Sequence, residues 1–75
     1  MTHLLNRIVT DPEICGGRPT IRGTRMRVSD VVDLLAAGET RAVILEDYPY
    51  LVDEDISAAL HYAASTTAHR VIAAA

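Results

Sequence analysis

Residues 16–27, Gly16-Gly17-Arg18-Pro19-Thr20-Ile21-Arg22-Gly23-Thr24-Arg25-Met26-Arg27, hold three glycines, a proline and four arginines in twelve positions. A helix does not run through such a stretch. Glycine costs about 1 kcal/mol relative to alanine inside a helix, and a proline pushes the residue before it toward extended backbone. The chain is thereby split. Residues 1–28 are expected to form a small arm of strands and turns, and the helices are expected after it.

Within the arm, Ile8-Val9-Thr10 is a β-prone run that Asp11-Pro12 ends with turn chemistry. Pro19-Thr20-Ile21 and Arg25-Met26-Arg27-Val28 read as further extended pieces around Gly23. In the last piece, period-2 alternation puts Met26 and Val28 on one face and Arg25 and Arg27 on the other.

From Ser29 the apolar period changes to that of a helix. Ser29 reads as an N-cap, with Asp30 complementing the helix dipole. Val31, Val32, Leu34 and Leu35 form the apolar face, and Gly38 ends the helix. Thr40 caps a second helix over residues 41–47, with Val43, Ile44 and Leu45 as its buried side, and Pro49 stops it. A third helix starts near Asp53, with Ile56, Ala59, Leu60 and Ala63 as one stripe. These spacings predict a mainly α fold: a compact three-helix unit over 29–64, the second and third helices resembling a helix-turn-helix pair. Residues 65–75 make a tail, and the whole chain makes one domain.

Size and composition narrow the rest. A chain of 75 residues lies near the lower limit for a self-sufficient core, so a homodimer is expected. There is no Phe and no Trp, so Val, Ile, Leu and Ala must fill the core. The single cysteine, Cys15, excludes an internal disulfide and a cysteine-rich zinc site and fits a reduced, cytoplasmic setting. The first residues lack the pattern of a signal peptide. No apolar run approaches the ~20 residues of a membrane span.

The net charge of −3 hides an asymmetry. Residues 1–27 carry five arginines against two acids, a net +3; residues 28–75 carry two arginines against eight acids, a net −6. Arg18, Arg22, Arg25 and Arg27 are therefore the candidate DNA-binding residues, able to neutralise phosphates or fork onto guanine edges. The competing reading is that they pair with the carboxylates of the helical half. Arg25, beside the first helix, is the expected structural member of the four. The third helix is a poor DNA reader, because Asp53-Glu54-Asp55 at its start would be repelled by phosphates. Consecutive acids on a helix also diverge, so no metal site is expected there. His3, His61 and His69 lack ligand spacing, Cys15 lacks an activating base, and no cofactor motif is present. Tyr48 and Tyr50 either pack their turn or offer a partner contact.

Taken together these residues resemble a known family. Ile8 to Pro12, Ile14, Gly16-Gly17, Pro19, Ile21 and Gly23-Thr24-Arg25 match its N-terminal arm. Ala37-Gly38, Ile44-Leu45, Asp47-Tyr48-Pro49, Glu54-Asp55-Ile56, Ala58-Ala59-Leu60 and Tyr62-Ala63 match its helices. The chain is similar in this to the bacterial domain of unknown function 433 family over residues 7–64. The resemblance implies a homeodomain-like helical fold and a VapB-like antitoxin of a type II toxin–antitoxin pair. Such an antitoxin binds and silences a PIN-like ribonuclease toxin and represses its own promoter DNA. An enzyme is not expected, because the sequence shows no base–nucleophile pair and no metal constellation. The alternatives are a stand-alone transcriptional regulator, or an adaptor that binds no DNA. The chain departs from the family at Val52, where Thr would cap the third helix, and at Thr40-Arg41-Ala42-Val43, where the family has Ser-Pro-Glu-Glu. The apolar end of the tail, His69, Arg70, Val71 and Ile72, is the expected toxin contact, since short helix-prone segments often order on a partner.

Overall fold

A computed structural model describes residues 2–66. The order is α1 (Thr2–Leu5), β1 (Ile8–Val9), a 3₁₀ turn (Cys15–Gly17), β2 (Thr20–Ile21), α2 (Val28–Ala36), α3 (Arg41–Asp47) and α4 (Asp53–Thr66). This is a mainly α domain with a two-stranded sheet at its N-terminal end. The single turn α1, which the sequence pattern did not reveal, packs against α4. No helix among the described residues is long and apolar enough to cross a membrane.

The strands pair antiparallel, Ile8 opposite Ile21 and Val9 opposite Thr20. Between them, Cys15, Gly16 and Gly17 all take positive φ (52°, 67° and 85°), a reversal that two glycines make inexpensive. After β2 the chain folds back over Gly23. The Thr24 hydroxyl donates to the Ile21 carbonyl at 2.9 Å and accepts from the Met26 N–H at 3.0 Å. The expected extended piece over 25–28 reduces to one bridge, Thr20 opposite Arg27. Its alternation survives: Met26 and Val28 are buried while Arg25 is exposed.

The N-terminal segment is not a projecting arm. Ile21 and Met26 belong to the same core as Val28, Val31, Ile44, Leu51, Ile56 and Ala59. Most of that core forms where α2 crosses α4, with α3 closing one side.

Helix starts differ from the sequence reading in instructive ways. The N-cap of α2 is Arg27, not Ser29. Asp30 closes back on it, its Oδ2 accepting the Arg27 N–H at 3.3 Å and Nε–H at 3.1 Å, so an ion pair moves the helix start two residues earlier. At the other end Gly38 has φ +98°. The Gly38 N–H donates to the Leu35 carbonyl and the Glu39 N–H to that of Leu34, at 3.0 and 3.1 Å, which is a Schellman ending. Thr40 caps α3, accepting the Val43 N–H at 3.1 Å. Val43 itself faces out; Ile44 is the buried residue and Leu45 packs beside it.

In α4 the predicted stripe is rotated. Ile56 and Ala59 are buried as expected, together with Asp55 and Ala58, but Leu60 is exposed. The turning force is Asp55, which is drawn inward. Its Oδ2 accepts the Val52 N–H at 3.0 Å, and its Oδ1 accepts from Arg7 Nη1 at 3.0 Å. The carboxylate thus makes its own half of a capping box; the Asp55 N–H, which a Thr hydroxyl at 52 would accept, goes to the Val52 carbonyl at 2.9 Å.

Candidate functional site

Each arginine of the basic segment can be followed to its contacts. Arg27 is forked onto Asp30, Nε to Oδ2 and Nη2 to Oδ1, both at 3.1 Å. That hydrogen bond, reinforced by the carboxylate's charge, raises the Arg27 pKa above its ordinary value. Arg22 turns its guanidinium onto the Asn6 carbonyl, Nε at 2.8 Å and Nη2 on the same oxygen. Arg18 and Arg25 are exposed, and neither has an ion-pair partner among the described residues. Arg18 is open as a candidate binding residue should be, whereas the other three stand otherwise than the sequence reading has them. Arg25, expected to be structural, is open, while Arg22 and Arg27 are spoken for within the chain.

Two of the three acids at the start of α4, Asp53 and Asp55, are likewise assigned. Arg41 Nε donates to Asp53 Oδ1 at 2.9 Å, and Arg41 Nη2 donates to Ser57 Oγ at 2.7 Å. The hydrogen bond from Arg41 holds the Asp53 carboxyl below its ordinary pKa, and the same bond raises that of Arg41. Asp55 faces Arg7 with only 8% of its side chain exposed. These acids lock helices and segment together.

Arg25 stands at the edge of an open groove of about 450 Å³. Met26 and Leu34 give it an apolar base; Tyr48, Tyr50, Asp30 and Asp33 line it with Arg25. The groove adjoins a second depression over Gly23 and Thr24 that shares Arg25 and Tyr50. The aromatic wall comes from the turn after α3. Pro49 ends the helix, and the Leu51 N–H returns to the Tyr48 carbonyl at 2.9 Å. Buried Leu51 anchors that turn, so the rings of Tyr48 and Tyr50 meet edge-on at 6.2 Å and 74°. Tyr50 remains 56% exposed. An exposed tyrosine and an unpaired arginine over an apolar base are the side chains that most often anchor protein–protein contacts.

A second groove, about 310 Å³, lies on the other flank of α2. It runs between Arg18-Pro19 and the end of α4, lined by Val32, Tyr62 and Thr66, and it shares Asp33 with the first. Among the described residues no group of three or more His, Cys, Asp or Glu is arranged to hold a metal ion. His61 is exposed. The Cys15 thiol donates to the Arg25 carbonyl at 3.4 Å. The expected toxin contacts His69, Arg70, Val71 and Ile72 lie outside the described residues.

Sequence reasoning missed Arg7, Asp33 and Tyr62. Arg7 meets a partner 48 positions away, a closure that no local pattern announces. Asp55 was legible in principle, since an acid three residues after a helix cap commonly reaches back to it.

Residues 8–63 match the profile of a family described as a protein of unknown function, DUF433. An uncharacterized protein of Sinorhizobium fredii, y4eO, is 43% identical over 56 residues. That alignment takes in 75% of this chain and 25% of the relative, so the chain spans about a quarter of that relative's length. The crystal structure of a DUF433 member protein from Anabaena variabilis superposes with a TM-score of 0.76 at 37% identity. It covers 89% of this chain and 65% of the crystallised one.

Proposed function

The chain belongs to the DUF433 family, and from that premise we propose that it is a binding protein of the antitoxin kind, acting in the cytoplasm by docking onto a PIN-like ribonuclease rather than by catalysis. The observation that carries this reading is the groove at Tyr50 and Arg25. It offers an apolar base for an inserted side chain, two tyrosines whose rings give contact area at small entropic cost, and a guanidinium that no carboxylate in the described chain holds. Around it the helical half carries a surplus of acid, which suits a ribonuclease whose substrate-binding surface must be basic; complementary charge speeds encounter and fixes orientation. The mechanism is occlusion: the domain covers the surface on which RNA would lie. That the matched region makes up a quarter of a longer relative fits a transferable docking module.

Autorepression is the second reading. It is favoured by Arg18 and Arg25, whose exposed guanidiniums have neither an ion-pair nor a hydrogen-bond partner among the described residues, unlike exposed Arg22, which rests on the Asn6 carbonyl. They leave guanidiniums open to phosphate.

One set of proteins tests both. Co-expressed with a PIN-like ribonuclease encoded beside it, the wild-type chain should copurify with the enzyme and inhibit it. Tyr50→Ala and Arg25→Glu should each weaken inhibition by about thirtyfold, the ~2 kcal/mol of an interface anchor. Unchanged inhibition by both variants would remove the groove as the docking site. On the promoter fragment, Arg25→Glu should lose gel retardation and flatten its salt dependence; retardation equal to wild type ends the DNA reading.

A further inference from the structure

The second groove carries an independent message. Its lining is largely apolar: Pro19, Val28, Val32 and the ring of Tyr62. Two opposite charges border it, Arg18 from the N-terminal segment and Asp33 from α2, both exposed. They do not pair with each other. The ion pairs among the described residues are Arg7–Asp55, Arg27–Asp30 and Arg41–Asp53. Asp33 acts on Arg27 only as a distant charge, after the hydrogen bond and charge of Asp30.

Such a surface has a restricted set of partners. A face of one sign would repel a copy of itself. A face that carries one cation and one anion beside an apolar strip is complementary in charge to a copy of itself, which suits a two-fold interface: the same patch on both subunits, each contact made twice. The chain is also small enough that covering apolar surface by self-association is a usual supplement to its core.

We infer that this groove is the seat of a second copy of the chain, the Arg18 guanidinium of each copy meeting the Asp33 carboxylate of the other over the Val32–Tyr62 strip. The inference does not rest on the ribonuclease reading, which uses the groove on the opposite flank of α2. It has a consequence for the basic segment. In the dimer Arg18 is a contact between copies, so Arg25 is the one arginine of the four left open to another partner.

The experiment is a sedimentation and light-scattering series on the full chain across protein concentration. The wild type should dimerise. Arg18→Asp and Asp33→Arg each place like charges together at two symmetric contacts, and each should raise the dimer dissociation constant about tenfold or more. The double variant R18D/D33R recreates both pairs with reversed polarity and should restore the wild-type constant. Both positions are exposed, so circular dichroism should show each variant folded. A wild type monomeric at every concentration overturns the inference, whether residues 67–75 or a different protein fill the groove. A dimer indifferent to both single reversals, or a double variant no better than the singles, overturns it too.

Discussion

In the helical body the one described arginine, Arg41, is held between Asp53 and Ser57 of the neighbouring helix. In the segment before it, five arginines meet different fates. Arg7 closes on buried Asp55, Arg27 caps α2 through Asp30, Arg22 turns onto a backbone carbonyl, and Arg18 and Arg25 face solvent without an ion-pair partner among the described residues. Apolar burial does not divide the two regions in the same way, since Ile21 and Met26 of the segment sit in one core with Val31, Ile44 and Ile56. The comparison separates two properties that a charge plot merges. The segment is structurally part of the body, and only its unpaired cations are surplus to the fold. A basic cluster in a sequence is thus an upper bound on a binding site.

The sharpest way to break this picture is to empty the core from each side. Ile21 and Ile56 are both essentially inaccessible, so Ile21→Ala and Ile56→Ala should each cost about 2–5 kcal/mol in urea or thermal unfolding. A much smaller loss at Ile21 would mean that the segment is a detachable arm after all. Next in size is Asp55→Ala, which removes the partner of Arg7 and the acceptor for the Val52 N–H. A loss of about 2–3 kcal/mol is expected, below the range for a fully buried pair because Arg7 is 41% exposed; a loss near zero would show that the segment and α4 are not tied there.

The smallest effect concerns the body's own exposed pair. The pKa of Asp53 is lowered in the fold by Arg41, so the pair's contribution is present above the carboxyl's unfolded pKa and is lost as pH falls through the lowered folded value. Denaturation midpoints should therefore drop on acidification below the ordinary carboxyl range. Arg41→Ala should flatten that part of the profile, and an unaltered acid limb would remove the pair from the account.

Much of this was readable from the chain. The Ile8-Val9 run, the Thr40 cap, the Gly38 stop and the Pro49 break all appear where local chemistry puts them, because each depends on residues within one or two turns. What was not readable depended on closure. Whether Arg25 or Arg27 is open is decided by Asp30 reaching the helix start, and serine at 29 competed for that start on local grounds alone. Leu60 matched the helical period and still faces out, because Asp55 rotates α4 toward Arg7. The groove at Tyr50 was half visible: the tyrosines stood out, but their meeting with Arg25 needed the turn after α3 to lie beside the turn at Gly23.

Asp55 has a further effect, on how the domain comes apart. One of its oxygens receives the N-terminal segment through Arg7 and the other receives the amide that begins α4. Lifting the segment away strands a carboxylate at the foot of that helix, and fraying the helix loosens the segment's anchor. Opening either therefore draws on the free energy of the other, so the N-terminal segment and the start of α4 belong to one cooperative unit. Amide hydrogens of β1 and of the first turn of α4 would then exchange with solvent in step, and a protease would have to wait for that shared opening before trimming the segment.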